Sequence, residues 1–247
     1  MKHKVIEIKD LSYAYPDGNK ALEDINLSVL KGESLGIIGP NGAGKTTLLL
    51  HFNGLLNSNN GVAKIKILDL ELSHRNIRDI RKAVGFVFQD PEDQLFMPTV
   101  YEDVSFGPYN LGWDRDTVNK ISQQALRHVG LSDKAGHLSH HLSLGEKKRV
   151  SIATVLSMKP EILVLDEPSA NLDPAARRHL VDLLKGLPVT MIIAGHDLEL
   201  ILELCNRVVI LYGGKIIADG DTKGVLSNHL LMKQHGLEVP LSLNSTP

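Results

Sequence analysis

The sequence predicts an α/β fold with a mixed, mainly parallel sheet, an antiparallel β portion at its N-terminus and an inserted helical segment. Three observations predict this class. Short apolar runs of β-forming residues alternate with helical patterns in both halves of the chain. Two segments rich in β-formers follow one another at the start, and β-rich runs disappear between about residues 89 and 158. Strands that alternate with helices usually form parallel sheets covered by helices on both faces.

The predicted elements follow in order along the chain. Pro16-Asp17-Gly18 predicts a turn after the first strand, because proline fixes φ and glycine accepts a positive φ. We predict strands over residues 5–15, 24–30, 33–39, 64–70, 84–88, 162–165, 189–194 and 208–212. Helices are predicted over residues 45–53, 76–83, 101–106, 116–129, 143–157, 174–185 and 198–204. The polar end, residues 237–247, is expected to fray.

Composition narrows the classes of function. The chain has 247 residues, of which 43 % are hydrophobic, and a formal net charge of −2, which gives no support for nonspecific nucleic-acid binding. Cys205 is the single cysteine, so an intrachain disulfide and a four-cysteine zinc site are excluded. The longest apolar runs are far shorter than the roughly 20 residues of a membrane-spanning helix. We therefore expect a cytoplasmic protein that reaches a membrane only through a partner.

A glycine-rich loop between a predicted strand and a predicted helix matches the G-x-x-x-x-G-K-[ST] pattern. In such loops the backbone N–H groups and the helix N-terminus hold phosphate oxygens. Lys45 is expected to reach the β- and γ-phosphates, and the Thr46 hydroxyl to bind Mg²⁺. The predicted phosphate-binding residues are Gly39, Pro40, Asn41, Gly42, Ala43, Gly44, Lys45, Thr46 and Thr47.

Two acids end the apolar strand at residues 162–165. At such a position Asp166 can bind Mg²⁺ directly or through water. Glu167 would then face the γ-phosphate and polarise the attacking water. Two acids that merely meet solvent at a strand end are the alternative, which the phosphate loop in the same chain disfavours.

From about residue 6 to residue 225 the sequence resembles the nucleotide-binding subunit of an ATP-binding cassette (ABC) transporter, with its motifs in the right order. Gln89 stands at the family's Q-loop position, residues 142–146 at the signature, residues 169–173 at the D-loop and His196 at the switch histidine. The resemblance implies ATP and Mg²⁺ as ligands, with Gln89 also at the metal. Tyr15 resembles the aromatic residue on which adenine stacks, although Tyr13 competes for this role.

The signature departs from the family's usual Leu-Ser-Gly-Gly-Gln, because Leu144 replaces the first glycine and Glu146 the glutamine. Ser143 and Gly145 remain, so phosphate contact across a dimer should survive. Ser143 and Glu146 also form the pattern of an ordinary helix capping box, and both interpretations can hold. We include Ser143, Gly145 and Glu146 among the predicted ATP-binding residues.

The resemblance implies one domain over residues 1–247. It comprises a P-loop NTPase core of RecA-like type over about residues 1–88 and 159–228, a helical subdomain over 89–158 and a tail over 229–247. Two cassettes would face each other head to tail, each ATP lying between the phosphate loop of one and the signature of the other. Glu167 would activate water, His196 would sense the γ-phosphate and Gln89 would link the site to the helical subdomain. The partner cassette would be a second copy or a homologous ATPase.

Residues 88–96, 99–104 and 106–108 are similar to the ATPases of energy-coupling-factor transporters, especially cobalt and nickel importers. This implies transmembrane coupling and substrate-binding subunits as partners, no nucleic acid, and a peripheral position on the cytoplasmic face of the membrane. A vitamin as cargo is the alternative. An ATP-gated DNA clamp fits less well, since the chain lacks the sustained heptads of a long coiled coil. A small-molecule kinase of the P-loop type would not explain the signature, D-loop and switch histidine together.

Three further expectations concern surfaces. Residues 89–96 and 99–103 should line a groove for a helix of a membrane partner, with Leu95, Phe96 and Met97 as apolar anchors; burial of Leu95 and Phe96 is the alternative. Lys147-Lys148-Arg149 is interpreted as a solvated helix face. The spacing of His137, His140 and His141 could gather metal ligands on a helix face, although exposed histidines are the simpler interpretation.

Overall fold

The computed structural model describes residues 3–57 and 63–244. The strands are β1 (Lys4–Ala14), β2 (Lys20–Leu30), β3 (Ser34–Ile38), β4 (Lys64–Ile67), β5 (Leu70–Glu71), β6 (Val84–Val87), β7 (Ile162–Asp166), β8 (Thr190–Ala194), β9 (Arg207–Tyr212) and β10 (Lys215–Asp221). The helices are α1 (Lys45–Phe52), α2 (Ile77–Ala83), α3 (Val100–Asn110), α4 (Arg115–His128), α5 (Leu144–Leu156), α6 (Pro174–Lys185), α7 (Leu198–Leu204), α8 (Thr222–Leu226), α9 (His229–Gln234) and α10 (Leu241–Asn244).

Two sheets organise these elements, and they confirm the predicted α/β class. The larger sheet has the order β10-β9-β3-β8-β7-β6, in which all neighbours run parallel except the β9–β10 hairpin. The smaller sheet, β2-β1-β4-β5, is antiparallel. Strands β7 and β8 are buried along their whole length and, apart from Asp166 and Thr190 at their ends, are apolar, as expected for strands covered on both faces.

Alternate residues of β7 divide the core into two clusters. Leu163 and Leu165 pack with residues of α3 to α7, whereas Ile162 and Val164 pack with α1 and the antiparallel sheet. Because β3, β6, β7 and β8 run parallel, their carboxyl ends lie at one edge of the sheet. The loop after each of these strands therefore reaches the same place, which is where ligands bind in open α/β sheets.

Several helices and strands begin or end at residues other than those predicted, and one strand was not predicted. The strand predicted over 64–70 stops at Ile67, because Leu68 and Asp69 have positive φ values and turn the chain into β5. Helix α3 extends past the predicted 101–106 in both directions and contains Pro108. Strand β10 was missed, although Gly213-Gly214 after β9 is a recognisable hairpin signal.

The C-terminal end also differs from the prediction. Residues 237–244 do not fray: Leu237, Val239 and Leu243 pack against the core, and Ser242 donates hydrogen bonds to Glu199. Residues 245–247 lie outside the described part of the chain. Within the described ranges, no helix combines the length and apolarity needed to cross a membrane.

Candidate functional site

The phosphate loop follows β3, and its glycines are required by close approach of the backbone. A Cβ on Gly39 would lie 2.1 Å from the Leu211 carbonyl oxygen, and one on Gly44 would lie 2.5 Å from that of Ala21. Gly44 also has a φ of 102°, which an L side chain rarely adopts. The loop therefore folds tightly around the N-terminus of α1, where backbone N–H groups are available to an anion.

Lys45, the first residue of α1, is buried, and its ammonium turns back over the loop. Nζ donates to the carbonyl oxygens of Gly39 at 2.8 Å and Pro40 at 3.2 Å, and it lies 3.9 Å from Glu167 Oε1. Carbonyl oxygens are weaker partners for an ammonium than phosphate oxygens. The side chain is thus positioned where phosphate oxygens can replace these contacts.

Asp166 ends β7 beside the next residue of the loop. The Thr46 hydroxyl donates to Asp166 Oδ2 at 2.7 Å, while Oδ1 is buried without a hydrogen-bond partner among the described residues. Burial raises the pKa of Asp166, and so does the neighbouring Glu167 carboxylate. An orphaned carboxylate oxygen beside a threonine hydroxyl is the donor set that Mg²⁺ prefers, so these residues fit the predicted metal.

Glu167 is held in an unusual backbone conformation, with a φ of 45°. Its N–H donates to the Ala194 carbonyl at 2.8 Å, and its Oε2 accepts from the His196 N–H at 3.2 Å and contacts His196 Nδ1 at 2.6 Å. Strained backbone of this kind persists where the surroundings fix it and is typical of active sites. The carboxylate is therefore fixed between Lys45 and His196.

The His196 loop is anchored by the residue that follows it. Asp197 accepts a bidentate pair from Arg177 of α6, at 2.7 and 3.0 Å, and caps α7 through the Leu200 N–H. These contacts lower the pKa of Asp197 below its ordinary value although burial opposes them. The sequence analysis did not predict this ion pair. An aspartate directly before an apolar helix indicates an N-cap, so the capping role of Asp197 was predictable, but no sequence pattern indicated Arg177 as its partner.

One cleft of about 380 Å³ brings most of the predicted residues together. Its walls are formed by Tyr15, Asn19, Lys20, Ala21, Asn41, Gly42, Ala43, Gly44, Lys45, Thr46, Thr47, Gln89, Glu167 and His196. Gly39, Pro40 and Asp166 do not line the cleft but are hydrogen-bonded to residues that do. The carbonyl oxygens of Gly39 and Pro40 accept from Lys45, and the Asp166 carboxylate accepts from Thr46. Loops after β3, β6, β7 and β8 thus meet at one edge of the sheet.

The two competing tyrosines have different positions. Tyr13 is buried, with its ring against His51 at 5.0 Å and Tyr15 at 5.1 Å between centroids. Tyr15 lies just beyond the end of β1, lines the cleft and shares a hydrogen bond of 2.9 Å with the Thr47 hydroxyl. Its ring is therefore available to a flat ligand group, whereas that of Tyr13 is part of the core.

The signature residues lie on a different surface. Ser143 caps α5 in a capping box: its hydroxyl accepts from the Glu146 N–H, and the Glu146 carboxylate accepts from the Ser143 N–H at 2.8 Å. That hydrogen bond, together with the one from the Ser143 hydroxyl, lowers the pKa of Glu146. Ser143, Gly145 and Glu146 line a separate cavity of about 270 Å³ and no part of the phosphate cleft.

Two surface expectations are corrected. Lys148 is 5 % exposed, not solvated, because its ammonium bonds two backbone carbonyls inside the molecule. Leu95 is buried and is no surface anchor, whereas Phe96 is 64 % exposed. His137, His140 and His141 are all exposed, in agreement with the simpler interpretation, and His140 and His141 lie in a short 3-10 turn. No cluster of three metal-ligand side chains occurs in residues 3–57 and 63–244.

Comparisons with known proteins identify the family of the chain. The family model described as ABC transporter matches residues 22–170. The chain belongs to the ABC transporter family. The energy-coupling factor transporter ATP-binding protein EcfA of Carboxydothermus hydrogenoformans is 46 % identical over 239 residues, covering 96 % of this chain and 87 % of the relative.

Two solved structures extend the comparison. CbiO1 from Clostridium perfringens, part of the ABC transporter complex CbiONQ, superimposes with a TM-score of 0.83 at 36 % identity over 98 % of both chains. A dimeric ATP-binding cassette in a post-hydrolysis state bound to ADP and Pi matches with a TM-score of 0.79 at 26 % identity, over 88 % of this chain and 98 % of that one. The chain is thus an ABC ATPase that binds ATP with Mg²⁺ and hydrolyses it as a transporter subunit. Cassettes of this family dimerise and associate with membrane components.

Proposed function

We propose that this cassette powers an energy-coupling-factor type importer, with cobalt or nickel ions as cargo. The observation that carries the ATPase part is the convergence of Lys45, Thr46, Asp166, Glu167 and His196 in one cleft. The similarity of residues 88–108 to cobalt and nickel importer ATPases, together with the EcfA and CbiO1 relatives, supports the transporter type.

We assign the roles of the site residues from their contacts. The phosphate loop and Lys45 bind the phosphates, and Tyr15 stacks on adenine. Mg²⁺, held by Thr46 and Asp166 with Gln89 at its edge, would neutralise charge that develops on the phosphoryl oxygens. Glu167 orients the attacking water and takes its proton, and His196, which contacts the same carboxylate, stabilises the charge at the γ-phosphate.

The second half of the site comes from a second copy of this chain. Ser143 and Gly145 do not line the phosphate cleft of their own chain, yet both surfaces are present in one sequence. Two copies arranged head to tail would complete two identical sites, which satisfies closed twofold symmetry. Pairing with a homologous ATPase is the alternative outcome of the dimerisation test described below.

The transmembrane coupling subunit is proposed to dock beside Phe96, with the cassette on the cytoplasmic face of the membrane. A groove of about 600 Å³ lies between α2 and α3 and contains Phe96 and Phe106, whose exposed rings meet edge to face at 4.9 Å between centroids. Exposed aromatic pairs in a concave surface are typical anchors for a partner protein.

We also propose the domain division expected from the sequence. It comprises a core of residues 1–88 and 159–228, a helical subdomain over 89–158 and a tail over 229–247.

The cargo is tested by uptake, because the proposed role of the ATPase requires no contact with the transported substrate. We expect deletion of this protein to abolish high-affinity cobalt or nickel accumulation, measured by elemental analysis of cells grown at limiting metal. The wild-type chain should restore it and Glu167→Gln should not. Unchanged metal accumulation with loss of vitamin uptake would overturn the cargo while the ATPase assignment stands.

A further inference from the structure

Lys148 is a buried cation to which the mechanism above gives no role. It lies on the second turn of α5, and Lys45 is the other lysine buried in the described part of the chain. A buried ammonium is costly unless it is hydrogen-bonded. Its partners are therefore informative about why the residue is there.

The ammonium bonds the backbones of two site residues. Nζ donates to the Glu167 carbonyl oxygen at 3.1 Å and to the Gln89 carbonyl oxygen at 3.3 Å. These carbonyls belong to the loops after β7 and β6, whose side chains line the phosphate cleft. One side chain thus joins both loops to the helix that Ser143 caps.

The groups around Lys148 favour a charged ammonium that holds the backbone in place. Burial lowers the pKa of Lys148, whereas the carboxylates of Glu167, Asp90 and Asp166 raise it and favour the charged form. Glu167 has a φ of 45°, and such a conformation requires contacts that fix it. The Glu167 N–H is held by Ala194 and its carbonyl oxygen by Lys148 and the Ala170 N–H.

We propose that Lys148 is a positioning residue for ATP hydrolysis, which holds the backbones of Glu167 and Gln89 at a fixed distance from each other and from α5. This rests on the proposed role of Glu167 in orienting water. Because Lys148 bonds the backbone carbonyl oxygens of these two residues and no residue of the phosphate loop, we expect its loss to slow the chemical step far more than it weakens ATP binding. Misplacement of a reacting group by about 1 Å can cost roughly 10²-fold in rate.

The test compares Lys148→Met with Lys147→Met. Both variants remove an ammonium group from adjacent positions of α5, but Lys147 pairs with the exposed carboxylate of Glu92 and bonds neither the Glu167 nor the Gln89 carbonyl oxygen. We expect Lys148→Met to lower the kcat for ATP hydrolysis about 10- to 100-fold with KM and the Kd for ATP within about twofold of wild type. Lys147→Met should leave all three unchanged, and Lys148→Arg should recover part of the kcat because it keeps the donors.

Two outcomes would overturn the proposal. Equal kcat values for Lys148→Met and Lys147→Met would overturn it, and so would a loss of kcat matched by a rise in KM. If Lys148→Met does not fold, as judged by circular dichroism and thermal unfolding, Lys148→Arg and Lys148→Gln decide through the same split between kcat and KM.

A double variant separates this proposal from the proposed function. If Lys148 acts through Glu167, adding Lys148→Met to Glu167→Gln should lower the residual rate no further. A multiplicative loss of the residual rate would overturn the proposal that Lys148 acts by positioning Glu167, even though Glu167→Gln alone is strongly impaired. Full activity of Glu167→Gln alone would instead overturn the role of Glu167.

Discussion

At the scale of single residues, the position of Glu167 depends on its contacts with Ala194, His196 and Lys45. Its strained backbone is held by Ala194, its carboxylate lies against His196, and Lys45 approaches from the phosphate loop. The carboxylate is thus placed at the cleft wall before any ligand arrives. Preorganised groups of this kind lower the barrier because little reorganisation accompanies the reaction.

Glu167→Gln should therefore nearly abolish hydrolysis while ATP binding persists. The amide keeps the shape and the contact with the His196 N–H but cannot accept a proton from water. Loss of a positioned base costs about 10²–10⁴-fold in rate. Steady-state phosphate release and equilibrium binding of ATP measure the two quantities separately, and full activity would remove Glu167 from this role.

Tyr15→Ala tests the adenine platform. A base stacked on an aromatic ring contributes about 1–3 kcal/mol, so the Kd for ATP should rise roughly tenfold or more. Tyr15→Phe, which loses only the bond to Thr47, should retain most of the affinity. Tyr109→Ala, at an exposed tyrosine of α3, is the matched control. An unchanged Kd for Tyr15→Ala would place adenine elsewhere.

Sequence motifs located the residues to which we propose direct chemical roles better than the residues that support them. Lys45, Thr46, Asp166 and Glu167 follow a local pattern, since each stands at a fixed distance from a strand end. The partners of Lys148 lie 59 and 19 residues away in the chain, so no local spacing could reveal them. Without that contact, three adjacent basic residues are indistinguishable from a solvated face.

At the scale of secondary structure, α5 shows that one motif can serve two purposes. Ser143 and Glu146 form a complete capping box, as the pattern predicted. The same residues line the signature cavity with Asn171, Asp173 and His179. Glu146 therefore replaces the family's usual glutamine without loss of the cap, because a carboxylate accepts both Ser143 donors.

Glu146→Ala should destabilise the protein in a pH-dependent manner. Loss of a capping interaction costs about 1 kcal/mol, seen as a lower Tm. The pKa of Glu146 is lowered on folding, so its contribution is complete above the ordinary value of 4.5 and declines as the pH falls through the lowered value. The difference in Tm between wild type and variant should thus be largest near pH 7 and shrink below about pH 4.5. A difference independent of pH would contradict the role of the ionised cap.

Phe96→Asp and Leu95→Asp separate a docking surface from a core position. Phe96 is exposed, so its replacement should leave the Tm and ATP affinity of the isolated protein unchanged but prevent co-purification with the membrane subunits. Leu95 is buried, and an aspartate there should lower the Tm because an unpaired charge would enter the core. Normal assembly of Phe96→Asp would contradict the proposed groove.

The elements missed from the sequence share a physical reason. Strand β10 is half-exposed and polar at its end, and the short C-terminal helices pack through isolated apolar residues such as Met232. Both are stabilised by contact with β9 and α7, not by their own periodicity. The apolar central strands, in contrast, could be predicted from their composition alone.

At the scale of the whole molecule, the fold separates two surfaces that the proposed dimer would bring together. The parallel sheet brings the ends of β3, β6, β7 and β8 to the phosphate cleft, while α5 presents Ser143 at another cavity. The fold class and the cleft followed from alternating patterns and strand-end motifs. The separation of the two surfaces depends on how α5 packs against the sheet, which no sequence pattern records.

The most direct test of the account is the assembly state of Glu167→Gln, measured by sedimentation velocity with Mg²⁺ and either ATP or ADP. We predict a dimer with ATP and a monomer with ADP, since the γ-phosphate is proposed to contact the signature of the second copy. Glu167→Gln combined with Ser143→Arg should bind ATP and stay monomeric. The same sedimentation coefficient in ATP and ADP, or dimers of the double variant, would contradict a site completed by a second copy of this chain.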